Sequence, residues 1–186
     1  MSESVKNPAG KKDAKFEQQE IAALARIEEL DEADKLHTLM LNARRMGSER
    51  VAEAAFDRRI DVLTGDEHDD PVTEDFWRSI HTIEAVLTEK NGKATRLTPP
   101  RQKLTRAGTV KTLTDIAVKT KTSDGSELLI ANDRADATAE AVILRHPDEF
   151  DEKTRDAATA RLEAAELERA TEPEAEPETT EGTTDG

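Results

Sequence analysis

The stretch that decides the fold is Asp34–Gly65, DKLHTLMLNARRMGSERVAEAAFDRRIDVLTG. Its apolar side chains recur at spacings of three and four residues, which is the period of one face of an α-helix. They form one run before Gly47 and a second run after Ser48: Leu36, Leu39, Met40 and Ala43, then Val51, Ala55, Phe56, Ile60 and Leu63. Glycine readily adopts the left-handed conformation that ends a helix, and serine is a preferred N-cap. The sequence therefore predicts two helices joined by a short turn and folded back on each other as an αα-hairpin.

Helical spacing continues on both sides of this hairpin. Upstream it predicts a helix from about Phe16 to Leu30, and Asp34 is the predicted N-cap of the hairpin's first helix. Downstream, Thr73 is the predicted cap of a helix that ends at Asn91–Gly92. The apolar face of that helix is predicted from side chains at spacings of four, three and four: Phe76, Ile80, Ile83 and Leu87.

Shorter helices are predicted in the second half of the chain. Three of them have a capping threonine, Thr98, Thr109 or Thr138, and the last helix is predicted to start near Asp151. Ser126–Ala131 is apolar enough to be buried, and we predict a short helix there, with a strand as the alternative. The apolar face of the last helix is mostly alanine, which buries little area.

These patterns predict a mostly α-helical protein, a small irregular bundle of antiparallel helical hairpins. We expect a disordered basic arm over residues 1–15 and N-terminal helical hairpins over 16–92. A basic helical region with the C-terminal helices is expected over 93–170, and a disordered acidic tail over 171–186. Both ends are rich in charge and poor in apolar residues, which is typical of disordered segments.

Composition excludes several classes of protein. The 186 residues include no cysteine, which rules out disulfides and thiolate metal sites and fits a reducing compartment. No apolar run approaches the roughly 20 residues that cross a bilayer. The first residues lack the apolar core of a secretion signal. The chain is therefore predicted to be cytoplasmic, without a membrane partner.

Charge is concentrated between Lys90 and Lys121. Nine basic residues and one acid, Asp115, give this stretch a net charge of +8, although the whole chain carries −14. Such an asymmetry favours an anionic partner. The predicted phosphate ligands are basic side chains of this stretch: Lys93, Arg96, Arg101, Lys103, Arg106, Lys111, Lys119 and Lys121. The alternative is a solvated face, or one that pairs with acids of the same chain.

The same stretch argues against sequence-specific binding. A helix-turn-helix with Gly108 in its turn would have to bury Lys103, Thr109 and Thr114, which are polar. No aromatic residue lies in the stretch, although single-strand binders stack bases on aromatic side chains. The sequence therefore predicts a nucleic-acid-associated accessory protein that contacts the phosphate backbone of DNA or RNA without reading bases.

A second function from a different class is a helical protein–protein interaction or adaptor module. In that interpretation Phe56, Phe76 and Trp77 supply an apolar groove for a partner. The basic stretch then meets an acidic protein instead of a nucleic acid. The two functions differ in their salt dependence, because only phosphate contacts release condensed counterions.

Catalytic and metal-binding patterns are missing from the sequence. It has no GxSxG or SxxK nucleophile pattern and no GxGxxG or P-loop glycines. The acidic loop Gly65–Val72 lacks the spacing of a calcium loop. The four histidines show no zinc-binding offset: His37, His68, His81 and His146. We therefore expect a non-enzymatic protein without a metal or cofactor.

The acidic tail suggests one further hypothesis. It carries six acids and no basic residue after Thr171. Opposite charges on one chain would allow this tail to fold over the basic stretch and compete with a phosphate chain. The alternative is a tail that only increases solubility.

Overall fold

A computed structural model describes residues 8–65, 68, 70–119 and 123–171. Over these residues all regular structure is helical, so the prediction of a mostly α-helical protein is confirmed. Nine α-helices follow in order: α1 (Pro8–Glu28), α2 (Ala33–Arg45), α3 (Glu49–Thr64), α4 (Pro71–Asn91), α5 (Thr98–Ala107), α6 (Thr109–Ala117), α7 (Asp124–Ala131), α8 (Ala139–Arg145) and α9 (Glu152–Thr171). No helix in this part of the chain combines the length and apolarity needed to cross a membrane.

The stretch that predicted the hairpin forms α2 and α3, which pack against each other. Most of the predicted stripe is buried: Leu36, Met40, Ala43, Val51, Ala55, Phe56 and Ile60. Gly47 has a φ of 78°, the left-handed conformation that glycine adopts without strain. Ser48 occupies the N-cap position of α3, as predicted, but its hydroxyl donates to the Glu20 carboxylate and makes no capping hydrogen bond. The antiparallel arrangement of the two helices stays a prediction.

Several helix starts differ from the prediction. α1 begins at Pro8, so part of the predicted arm is helical, and the rest of that arm, residues 1–7, lies outside the described residues. The N-cap of α2 is Glu32, two residues before Asp34. The N-cap of α4 is Asp70 instead of Thr73, because its carboxylate accepts the Thr73 N–H at 2.8 Å. A carboxylate at this position also suits the positive end of the helix dipole.

The chain divides into two compact units between Thr112 and Leu113, within α6. The sequence had placed its division at residue 92. In the first unit, α3 packs against α1, α2 and α4. Two predicted residues of the α4 face, Phe76 and Ile80, are buried, whereas Ile83 and Leu87 are half-buried.

The second unit is built on α7, α8 and α9. Ser126–Ala131 is helical, which decides between the two alternatives for that segment. Thr138 caps α8, as predicted, by accepting the Ala141 N–H at 3.2 Å. The core includes large apolar side chains from α7, from α8 and from the connection between α8 and α9: Leu129, Val142, Ile143 and Phe150. All but the first residue of the predicted acidic tail lies outside the described residues.

Candidate nucleic-acid interface

The residues from Lys90 to Lys111 form one continuous basic segment. It holds seven basic residues and no acid, and it covers the end of α4, the connection to α5, α5 itself and the start of α6. All of it belongs to the first unit. Lys119 belongs to the second unit, and Lys121 lies outside the described residues. The candidate interface therefore comprises residues 90–111.

Hydrogen bonds to side chains of α4 hold the segment that connects α4 to α5. Gly92 ends α4 with a φ of 64°, which lets the chain reverse direction. The Thr95 N–H then donates to the Thr88 hydroxyl at 3.0 Å, and the Leu97 N–H donates to the Glu84 carboxylate at 2.7 Å. Glu84 and Thr88 are four residues apart on the helix, so they lie on one face and hold the connection at two points.

Arg101 is anchored by the same carboxylate. Its Nε lies 2.9 Å from Glu84 Oε1, and its Nη2 lies 2.7 Å from Oε2, a bidentate pair. The side chains of Arg101 and Glu84 are only 17% and 12% exposed. Burial favours a raised pKa for Glu84, but hydrogen bonds from Arg101 and the Leu97 N–H outweigh it and lower that pKa. Arg101 is therefore engaged inside the fold and has little capacity left for a phosphate.

Two rings complete this cluster on α4. The Arg101 guanidinium lies 4.6 Å from the centroid of the Trp77 ring, a cation–π contact. Trp77 stacks on His81 with 5.9 Å between centroids. Burial, and then the charge of Arg101, lower the pKa of His81 to about 4, and Arg96 adds to the effect. His81 is therefore neutral at neutral pH.

The other predicted phosphate ligands of this segment have different surroundings. Lys93, Arg96 and Arg106 are exposed and make no ion pair with any described residue. Lys111 is exposed and Lys103 is half-buried, and both have an interaction within the protein. The structure thus separates exposed cations from Arg101, which the sequence had grouped together.

The predicted apolar groove is not formed by the residues proposed for it. Phe56 and Phe76 are each only 2% exposed and belong to the core, so no partner reaches them in this fold. Trp77 is half-buried and lies under Arg101. The sequence shows that these residues are apolar, but it does not show whether they are buried in the core or exposed to a partner.

A different apolar surface is present between α1, α2 and α3. It is a cavity of about 140 Å³ lined mainly by apolar side chains, among them Ala23, Leu39 and Val51. Phe16 and Met46 also line it and are exposed to 37% and 61%. The sequence predicted that the first helix starts near Phe16, but nothing in it indicated that this side chain is exposed.

Within the described residues, no group of three or more histidine, aspartate or glutamate side chains could hold a metal ion. Three members of the acidic loop, Asp66, Glu67 and Asp69, lie outside those residues.

The contact between Glu84 and Arg101 is not predicted by the sequence. Glu84 lies 17 residues before Arg101, and no local spacing rule relates an acid on one helix to an arginine on the next.

Comparisons with protein-family models, with curated proteins and with solved structures found no match to the chain.

Proposed function

We propose that this chain is a non-enzymatic nucleic-acid-associated accessory protein that binds the phosphate backbone through its basic segment. One observation carries the proposal: seven cations and no acid occur in 22 consecutive residues of a chain whose net charge is −14. Lys93, Arg96 and Arg106 remain exposed and make no ion pair with a described residue.

The chemistry of the segment favours phosphate over bases. Lysine and arginine neutralise phosphates and release condensed counterions, which gives affinity without sequence discrimination. The segment contains no aromatic residue, so it offers no platform for base stacking. Because Arg101 is paired with Glu84, we expect about three to five phosphate contacts and a log–log salt slope of about −3 to −5 on a DNA duplex.

The test replaces three exposed cations of the segment with glutamine: Lys93, Arg96 and Arg106. Binding to a labelled duplex is measured by fluorescence anisotropy from about 50 to 200 mM salt. We expect weaker binding and a salt slope that is less steep by about 2 to 3, roughly one per contact removed.

The matched control replaces three exposed arginines of the same unit with glutamine: Arg26, Arg45 and Arg50. It changes the net charge by the same amount and should leave the salt slope within about 1 of the wild type. Equal losses in both variants would show that overall charge, and not this segment, governs binding. A wild-type protein that binds neither DNA nor RNA would contradict the proposal.

The second candidate function, a protein–protein interaction module, is supported by the apolar cavity beside Phe16 and Met46. Exposed apolar surface of this kind is typical of protein contacts. Native co-purification with and without nuclease separates the two functions. A protein partner that survives nuclease and is lost with Met46→Gln would favour this alternative, whereas partners lost on nuclease treatment would favour nucleic acid.

A further inference from the structure

We infer that Glu84 is a positioning residue for the basic segment, an acidic side chain whose carboxylate strengthens the binding of an anion. The inference rests on the proposed function and names the residue that prepares the segment for phosphate. In this inference Lys93 and Arg96 contact phosphate, whereas Arg101 stabilises the fold.

The carboxylate joins three parts of the first unit. One oxygen accepts the Leu97 N–H and Arg101 Nε, and the other accepts Arg101 Nη2. It therefore ties the end of the connection and the first turn of α5 to α4. Thr88 ties Thr95 to the same face of α4.

These hydrogen bonds fix the backbone conformation of the neighbouring residues. Arg96 lies between the two anchored amides, and Lys93 lies just before them. The Arg96 N–H has no hydrogen-bond partner among the described residues, so both its backbone and its side chain can donate to phosphate oxygens. Because the connection is already ordered in the free protein, it loses less conformational entropy when a ligand binds, and the affinity is higher.

Charge alone predicts the opposite effect for Glu84. Removing an acid from a basic surface should tighten binding to an anion, because it removes repulsion. That repulsion is small here, since Arg101 neutralises the carboxylate and the pair is largely buried. Weaker DNA binding after removal of Glu84 would therefore show that Glu84 acts by positioning the connection and not through its charge.

The test compares Glu84→Ala with Glu74→Ala. Glu74 is exposed on the same helix, and its removal changes the net charge equally. We expect Glu84→Ala to bind a labelled DNA duplex about three- to tenfold more weakly than the wild type, and Glu74→Ala to bind as tightly or slightly more tightly. The salt slope of Glu84→Ala should stay within about 1 of the wild type, because no cation is removed.

The conservative variant Glu84→Gln should retain part of the duplex affinity that Glu84→Ala loses. Its amide oxygen still accepts the Leu97 N–H, so we expect a loss of affinity smaller than that of Glu84→Ala but larger than that of Glu74→Ala. Amide hydrogen exchange of Leu97, measured by NMR, should be faster in Glu84→Ala and nearer to the wild type in Glu84→Gln. If Glu84→Ala fails to fold by circular dichroism, the glutamine variant alone decides.

The outcomes separate this inference from the proposed function. A wild-type protein that binds, together with Glu84 variants that bind as tightly as Glu74→Ala, would overturn the positioning role only. A wild-type protein that binds neither DNA nor RNA would overturn the proposed function and this inference with it.

Discussion

Arg96 and Arg101 show how residues of one type take different roles within five positions. Arg101 reaches the Glu84 carboxylate and the Trp77 ring, and it is largely buried. Arg96 is exposed and has no such partner among the described residues. A count of charges along the sequence therefore overestimates the number of cations that a phosphate chain can contact.

His81 makes the stability of the fold depend on pH. Its pKa in the folded protein is about 4, below the ordinary value of 6.5, so the unfolded chain takes up the proton first as the pH falls. The stability from neutral His81 is fully present above about pH 6.5 and is lost progressively toward pH 4. We expect the free energy of unfolding to fall by about 2 kcal/mol between about pH 7 and pH 5, measured by urea unfolding.

The control is His81→Gln, which should reduce this pH dependence. Part of it should remain, because burial, followed by the charge of Arg59, also lowers the pKa of His37. Glu84, whose pKa is lowered, loses its contribution only as the pH falls below its ordinary value of 4.5. An unchanged slope between pH 7 and 5 in His81→Gln would show that His81 is not the group that titrates.

At the scale of elements, one buried acid joins three helices of the second unit. Glu140 on α8 is 1% exposed, and it accepts hydrogen bonds from Ser126 on α7 at 2.7 Å and from Arg161 on α9 at 3.1 Å. Arg161 also donates to the Ile116 carbonyl oxygen at 2.9 Å. A buried charge held by hydrogen bonds in this way is costly to leave without its partner.

Replacing Glu140 with alanine removes the buried carboxylate that accepts hydrogen bonds from Ser126 and Arg161. We expect the free energy of unfolding to fall by about 3–5 kcal/mol, measured by urea unfolding. Glu163→Ala removes an exposed acid from α9 and should change stability by no more than about 0.5 kcal/mol. Equal effects of the two substitutions would contradict a structural role for Glu140.

The elements that the sequence predicted best are those with strong local signals. The stripe of α2 and α3 and the turn at Gly47 follow from spacing and from the conformational freedom of glycine. The N-cap of α4 was misplaced because Asp70 and Thr73 both suit a helix start. The role of Glu84 could not be predicted, since it depends on how the connection lies along α4 in three dimensions.

For the whole molecule, charge is divided unequally along the chain. Residues 1–112 carry 19 basic and 21 acidic residues, a net charge of −2. Residues 113–186 carry 8 basic and 20 acidic residues, a net charge of −12. The proposed phosphate ligands of the basic segment therefore belong to the nearly balanced half of the chain, and most of the excess acidity lies in the other half.

Removal of residues 172–186 should strengthen binding to nucleic acid. The deletion removes six acids and no basic residue, which changes the net charge from −14 to −8. We expect duplex affinity to rise by about two- to fivefold at low salt and the gain to shrink as salt screens the charges. A full-length variant with the six acids replaced by their amides controls for length. Unchanged affinity in both proteins would contradict any competition by this segment.

Trp77 is the only tryptophan of the chain, which also has no tyrosine. Its ring lies under Arg101, the residue that joins α5 to the Glu84 carboxylate of α4. At the wavelengths used to excite tryptophan, the fluorescence of the protein therefore comes from one side chain, which contacts the Arg101 that joins α5 to α4. Emission of the unlabelled protein would report directly whether that joint opens when a ligand is added.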